Sequence, residues 1–320
     1  MASEKPADAE SLNPKFRHRL EFLGIAAVSI CLRMVPRGAH GLIANAVALL
    51  WFHAIPIRKK RVMENLEIAF AQKDTAWKKK IAIGCMRHFT LMSLEFSGSG
   101  KKKKQDLDEI VPQTEGLDEI QIYRKKTGEA FLGVTGHFGN WELLVSYFSL
   151  VLKMDIAAFA KRIHNPFVDR LVTENRKQQG FEVIHFSRNI RPALKALRHK
   201  KVLGFVADQD ARRSGIFIPF FGKKAATFSG PAQLARHTNL PILPAFCHRV
   251  GWTHSYRLRA FPIIMPDMSL SKEEDIERMT RYCSEKLEEM IRDYPEQYLW
   301  FHRRWKTQPK KGRSKKPTGE

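Results

Sequence analysis

The chain has 320 residues, of which 43% are hydrophobic, and 55 Lys and Arg against 33 Asp and Glu give a formal charge of +22. The length allows one large domain or two small ones with a sizeable core. The apolar content excludes a disordered chain, and a mean hydropathy of −0.35 argues against a polytopic membrane protein. The charge favours an anionic partner: nucleic acid, an acidic lipid surface, a phosphorylated substrate or an acidic carrier protein.

Cys31, Cys85, Cys247 and Cys283 are widely spaced, with no CxxC pair and no His at finger spacing. A zinc finger is thereby removed, a disulfide framework is disfavoured, and a reducing cytoplasm is expected. In chain order, residues 1–14 read as a polar, disordered lead without the apolar run of a secretory signal. Residues 15–61 hold two apolar stretches, FLGIAAVSICL (22–32) and GAHGLIANAVALLWFHAIPI (38–57). The first is too short to cross a bilayer. The second just reaches the ~20 residues a crossing needs, but contains His40, Asn45, His53 and Pro56. Basic residues stand at every boundary: Lys15, Arg17 and Arg19, then Arg33 and Arg37, then Arg58 to Arg61. A single span prefers its basic residues on one side, so the pattern suits a helical hairpin lying in an anionic interface. Two buried core helices, or a lone span at 38–57, are the alternatives.

From Val62 to Phe96 the pattern is helical and amphipathic, and GSGKKKK (98–104) reads as a loop with a basic run. Short apolar runs then alternate with helical segments. Strands are expected at 130–136, 156–160, 181–186, 202–208 and 241–249, with 256–264 as an edge strand. Helices are expected at 141–152, 166–179, 190–199, 231–236 and 272–294. This alternation predicts an α/β fold over 62–306, with a mixed, largely parallel central sheet flanked by helices. The residues from Thr307 onward read as a basic, disordered tail.

The segment from Thr135 to Glu142 sits where a buried strand ends and a helix begins. His137 and Glu142 are five apart, about 140° on a helix and on opposite faces of a strand, so neither regular element lets them meet. A turn through Gly139 and Asn140 would, with Asn140 capping the helix and Glu142 in its first turn. The carboxylate is then expected to fix the imidazole tautomer, leaving the other nitrogen to take a proton from a hydroxyl. A bare HxxxxE spacing is more often a structural His. No GxSxG elbow or Cys dyad is visible, so the nucleophile would be the acceptor's own hydroxyl. Arg176 reads as a helix-surface charge or a phosphate or oxyanion contact. Asp208-Gln209-Asp210 at a strand end suggests either a metal site or a partner for a basic residue. In GKKAATFSG (222–230), Thr227 and Ser229 are candidate receivers of an anionic or carbonyl group, against a plain loop with a helix cap. Arg303 and Arg304, beside Trp305, are either headgroup contacts or part of a structural closure with Tyr298, Trp300 and Phe301.

GHFGNWELL (136–144) resembles the HxxxxD/E site of the bacterial lipid A lauroyl/myristoyl acyltransferases, within the lysophospholipid acyltransferase-like superfamily. The resemblance continues through HNPFVDRLVTENRKQQG (164–180), VADQD (206–210), residues 216–249 and PEQYLWFHRRWKTQP (295–309). Upstream, RVMENLEIAF (61–70) is similar to the family's RxxNLxxAF segment. The resemblance spans residues 15 to 309. It implies a glycerolipid acyltransferase-like fold and transfer of a fatty acyl chain from acyl carrier protein or acyl-coenzyme A to a hydroxyl of an anionic glycolipid, a lipid A precursor. It also implies His137 as general base, Glu142 as its carboxylate partner, an Arg176 close by, and Asp208 as the first Asp of a DxD-like segment. No metal and no cofactor are implied, and the cytoplasmic face of the inner membrane is the expected place. Where the family often has Tyr-Arg-Pro, this chain has Ala160-Lys161-Arg162; Lys161 and Arg162 keep the positive charge. Other acceptors, such as a phosphoinositide mannoside or an aminolipid, fit the same motifs. A nucleic-acid-binding role has only the charge behind it.

Overall fold

A computed structural model of the protein describes residues 16–55, 57–98, 103–186 and 189–309. The expected polar lead, residues 99–102 of the basic run and the tail beyond Pro309 lie outside the described residues. The elements follow in order: α1 (Phe16–Met34), α2 (His40–His53), α3 (Lys59–Ala69), α4 (Thr75–Gly98), α5 (Lys104–Ile110), β1 (Gln113–Glu115), α6 (Asp118–Thr127), β2 (Leu132–Thr135), α7 (Trp141–Leu150) and β3 (Ile156–Ala160). Then come α8 (Pro166–Gln178), β4 (Phe181–His185), α9 (Arg191–Arg198), β5 (Val202–Val206), β6 (Ile216–Phe220), β7 (Lys223–Thr227), α10 (Gly230–Thr238), β8 (Ile242–Arg249), β9 (Tyr256–Ala260) and α11 (Lys272–Asp293).

The seven-stranded sheet has the order β1-β9-β8-β2-β5-β3-β4. The five strands from β8 to β4 are parallel, and β9 pairs antiparallel with β8. Burial on both faces explains their near-continuous apolar runs; every residue of β8 is buried. One face packs Leu143, Leu144 and Phe148 of α7, and the other packs Ala232 and Ala235 of α10 together with Met279 of α11. The chain leaving β2 therefore passes to one face through α7, and the chain leaving β5 passes to the other through α10. Strand ends that diverge in this way open a crevice at their carboxyl edge.

Two expectations need correction. Residues 256–264 do not form an edge strand: β9 lies between β8 and β1, and the three-residue β1, too short to be read as a strand, is the edge. Nor is 222–230 a plain loop. Lys223–Thr227 pairs antiparallel with Ile216–Phe220, turning through Phe221 and Gly222 at φ +50° and +73°. Positive φ at both central positions matches the twist of a two-residue hairpin.

The N-terminal helical pair is present, α1 and α2 being bent by 104° to each other; among the described residues no single helix is long and apolar enough to cross a membrane. The two helices differ in their surroundings. α2 buries Ala44, Ala48, Trp51 and Phe52, its Trp51 and Phe52 joining the core cluster that includes Ile81, Ala82 and Cys85 of α4. α1 leaves Leu23 60% exposed, with Leu20, Val28 and Ile30 also open. On α3, the buried Asn65 of the RVMENLEIAF segment donates to the carbonyls of Trp300 (2.7 Å) and His302 (2.9 Å), tying the C-terminal strap to the helical layer.

Candidate active site

β2 and β5 are parallel neighbours with Thr135 opposite Val206. Two residues further on each strand bring His137 and Asp208 to the same level. The structure places His137 Nδ1 2.7 Å from Asp208 Oδ1, with the carboxylate side chain fully buried and the imidazole 22% exposed. An ionised carboxylate only accepts, so Nδ1 carries the proton and Nε2 is the free base. The imidazole edge lies against Trp141, ring centroids 5.0 Å apart, and Nε2 faces the Gln209 amide at 3.4 Å.

The backbone around the imidazole is held from three sides. The His137 carbonyl accepts from Leu299 N, Gly139 N donates to Gln297 O, and Asn140 N donates to Cys247 O. Gly139 has φ +56°, and a Cβ there would stand 2.0 Å from the Cys247 carbonyl oxygen, so only glycine makes this turn. His88 Nε2 bonds the Gly139 carbonyl at 3.1 Å. Asn140 caps α7 as expected, its side chain accepting from Leu143 N at 3.0 Å.

Glu142, expected to orient His137, instead accepts two bonds from Arg176: Nη2 at 2.5 Å and Nε at 3.2 Å. The turn does what the sequence suggested, but the carboxylate in the first turn of α7 is taken by the bidentate guanidinium of α8. Asp208 fills the role on the imidazole. Of the basic partners open to Asp208, Arg176 or another, the structure gives it His137 and gives Arg176 to Glu142.

The remaining candidates divide. Lys161 and Arg162 lie exposed just beyond the carboxyl end of β3, on the same edge of the sheet as the His137–Asp208 pair. Arg303 is exposed, whereas Arg304 is buried and donates to Ala226 O (2.9 Å) and Thr227 Oγ1 (2.6 Å). Arg304 is therefore a tie between the C-terminal strap and β7, not a headgroup contact. Trp305 is also buried, donating to Phe220 O. Thr227 is occupied by Arg304 and by Ala225 O, and Ser229 accepts from Gln233 Nε2. Neither hydroxyl is held ready for a substrate oxyanion. Asp210 accepts from Thr307 Oγ1 and from Arg212 N, so the two acids of the DxD-like segment serve different partners. Among the described residues no group of three His, Cys, Asp or Glu side chains could hold a metal ion.

Electrostatics sharpen the pair. Burial opposes a charge on His137, but the charge and hydrogen bond of Asp208, with the charge of Glu142, outweigh it and raise its pKa above 6.5. Burial likewise opposes ionisation of Asp208, yet His137 holds the carboxyl well below its usual range. His302, whose Nδ1 lies 4.0 Å from Asp208 Oδ2, is pushed down to about 4 by burial and stays neutral. Its Nε2 meets the Tyr298 hydroxyl at 2.9 Å. Sequence reasoning missed the Asp208–His137 pairing, which the strand register carries, and the place of His302, a candidate headgroup contact in the sequence, beside Asp208.

A family model for bacterial lipid A biosynthesis acyltransferases matches residues 10–307. The lipid A biosynthesis lauroyltransferase of Escherichia coli (strain K12) is 26% identical, covering 92% of this chain and 93% of its own. The lipid A biosynthesis palmitoleoyltransferase of the same organism is 29% identical over 80% of this chain and 82% of its own. The phosphatidylinositol mannoside acyltransferase of Mycobacterium tuberculosis (strain ATCC 25618 / H37Rv) is 24% identical over 64% of this chain and 62% of its own.

Proposed function

Since the chain belongs to the bacterial lipid A biosynthesis acyltransferase family and is an acyltransferase acting on lipid, we propose that it moves a fatty acyl chain from a thioester to a hydroxyl of a lipid A precursor, with His137 as general base. The observation that carries this reading is the 2.7 Å His137–Asp208 contact, which leaves Nε2 unprotonated, facing the Gln209 amide, at the carboxyl edge of the sheet. Nε2 takes the proton of the acceptor hydroxyl as its oxygen attacks the thioester carbonyl carbon. The tetrahedral intermediate collapses with cleavage of the C–S bond, and the departing thiolate takes the proton back from Nε2. Asp208 holds the tautomer and stabilises the imidazolium in between. Arg176, fixed by Glu142, together with Lys161 and Arg162, supplies positive charge for phosphates or for the developing oxyanion. The chemistry draws on no metal or cofactor.

The +22 charge suits an acidic acyl carrier protein, a phosphorylated acceptor and an anionic leaflet alike. We place the enzyme on the cytoplasmic face of the inner membrane, with α1 lying in the interface through Leu20, Leu23 and Ile30. Nucleic acid is not a partner in this reading. Each basic residue near an anionic surface is worth on the order of 1 kcal/mol and is screened by salt. Apolar burial at roughly 25 cal/mol per Å² is not. Full-length protein should therefore pellet with anionic vesicles, resist high salt and yield to detergent. A variant with Ser at Leu20, Leu23 and Ile30 should come off in salt; identical behaviour of the two proteins would remove α1 from the membrane.

A second acceptor class has a specific observation behind it, the similarity to relatives named phosphatidylinositol mannoside acyltransferases. Purified protein should be given carrier-protein and coenzyme A thioesters with a lipid A precursor or a phosphoinositide mannoside, and the products weighed by lipid mass spectrometry. One added acyl chain on the lipid A precursor is the expected result. Transfer to the mannoside alone would replace the acceptor, and transfer to neither would end the reading.

A further inference from the structure

The proton relay uses one oxygen of Asp208. The other, Oδ2, is buried, and among the described residues it has no hydrogen-bond partner. His302 Nδ1 stands 4.0 Å away, and the Tyr298 hydroxyl, which also faces Asp208, is bonded to His302 Nε2 at 2.9 Å. A buried, ionised carboxylate with one bare oxygen is costly, so a donor is expected there.

Two more buried polar atoms are in the same condition, Thr135 Oγ1 and Arg304 Nε. Thr135 ends β2 and is fixed beside β5, its carbonyl accepting from Ala207 N at 3.0 Å. Arg304, 1% exposed, gives its Nη atoms to two neutral acceptors, Ala226 O and Thr227 Oγ1. The acids whose charge reaches it are Asp208 and Asp210, and Asp210 is taken by Thr307 and Arg212 N. Asp208, Thr135 and Arg304 line one cavity of about 30 Å³, together with apolar groups such as Phe246 and Leu287. The Thr227 and Thr280 hydroxyls on its wall already donate, to Ala225 O and Ile276 O.

A single water needs about 10–15 Å³ and two to four polar partners. The cavity meets both conditions. The carboxylate disfavours an anion there and the guanidinium disfavours a cation, which leaves a neutral occupant. The bonds also balance: Arg304 Nε–H donates to the water, the water donates to Asp208 Oδ2, and the Thr135 hydroxyl takes a third position. We propose that Thr135 and Arg304 are positioning residues for the proton relay, acting on Asp208 through one water molecule held in this cavity. With His137 on Oδ1 and the water on Oδ2, the carboxylate is fixed at both oxygens. The water site stands on geometry, and its effect on turnover rests on the acyl-transfer reading.

A high-resolution crystal structure of the full-length protein tests the occupant. One ordered water within hydrogen-bond distance of Asp208 Oδ2, Thr135 Oγ1 and Arg304 Nε is the expected result. A dry cavity, or the Tyr298 hydroxyl turned onto Oδ2, overturns the proposal. Turnover tests the role. Thr135→Val keeps the shape and removes the hydroxyl; it should lower kcat by about tenfold with KM little changed, the scale of one hydrogen bond to a charged group. Thr135→Ser keeps the hydroxyl and should recover most of that loss. A hydroxyl that bonds to nothing would behave in the opposite way, since removing it relieves a buried polar cost. Thr135→Val with a raised melting temperature and wild-type kcat therefore overturns the proposal. Should Thr135→Val not fold, the crystal structure decides alone. Wild-type protein that holds the water yet transfers no acyl group to any lipid would overturn the acyl-transfer reading and leave the water site in place.

Discussion

Two acid–base pairs flank the same crevice and are built by different means. His137 and Asp208 meet because two neighbouring parallel strands end in register, and their carboxylate is fully buried. Glu142 and Arg176 meet across two helices, α7 and α8, and both side chains keep some contact with solvent, 10% and 21%. A strand-end pair inherits the rigidity of the sheet, and a helix-to-helix pair inherits the looser docking of two connecting segments. The first geometry suits a proton relay, which tolerates little displacement. The second suits positioning of a crevice wall and of a guanidinium that a phosphate can approach.

The largest effects should fall on the strand-end pair. His137→Ala should lower turnover by about 10²-fold or more, the scale of general acid–base work, with folding retained. Asp208→Asn should lower it by about 10²–10⁴-fold, since an amide can hold the wrong tautomer. A folded Asp208→Asn enzyme with near-wild-type turnover would return the orienting role to Glu142.

Glu142→Gln and Arg176→Gln should each cost less, about tenfold, and the double variant little more than either alone, because the two act as one unit. Additive losses in the double-mutant cycle would show that each touches the substrate separately.

The pairs also differ in what they do to pH dependence. His137 must be neutral to accept a proton, so turnover should rise with pH through a midpoint above 6.5. Asp208→Asn removes the largest influences that raise this pKa while burial still lowers it, so the acid limb should move to lower pH. Glu142→Gln should move it the same way by less. For stability, a His pKa raised on folding contributes fully below 6.5, and the contribution is lost as pH rises through the folded value. A Glu142→Gln shift larger than that of Asp208→Asn would invert the comparison.

Much of this was legible in the residues before any coordinates. The strands and helices from 130 to 249, the Asn140 cap and the turn at Gly139 follow from apolar runs, turn chemistry and spacing. The hairpin at 216–227 did not, because Lys223-Lys224 reads as loop and Phe221 is an unusual residue for positive φ. The partner of His137 was misread for a different reason. Sequence proximity favoured Glu142, whereas strand order, a long-range property, brings position 208 to 137. Arg304 is open between a headgroup contact and a structural closure in the sequence, because four of five residues in His302–Lys306 are basic or His; packing decides for the closure by turning it inward to Thr227.

The smallest expected effect tests whether the two pairs are mechanically linked. Asn140 stands between them, with its side chain on Leu143 N of the helix that carries Glu142, and its backbone nitrogen on Cys247 O beside the His137 turn. Asn140→Ala should cost about 1 kcal/mol of stability through the lost cap. It should loosen the first turn of α7, and so Glu142, more than the strand-end pair, which keeps the bond from Leu299 N and those to Gln297 O and Asp208 Oδ1. Denaturant melts should show the destabilisation. Turnover should fall no further than in Glu142→Gln, with the pH midpoint nearer wild type than in Asp208→Asn. A loss of the size seen in Asp208→Asn would mean that the helix, and not the strand register, sets the imidazole.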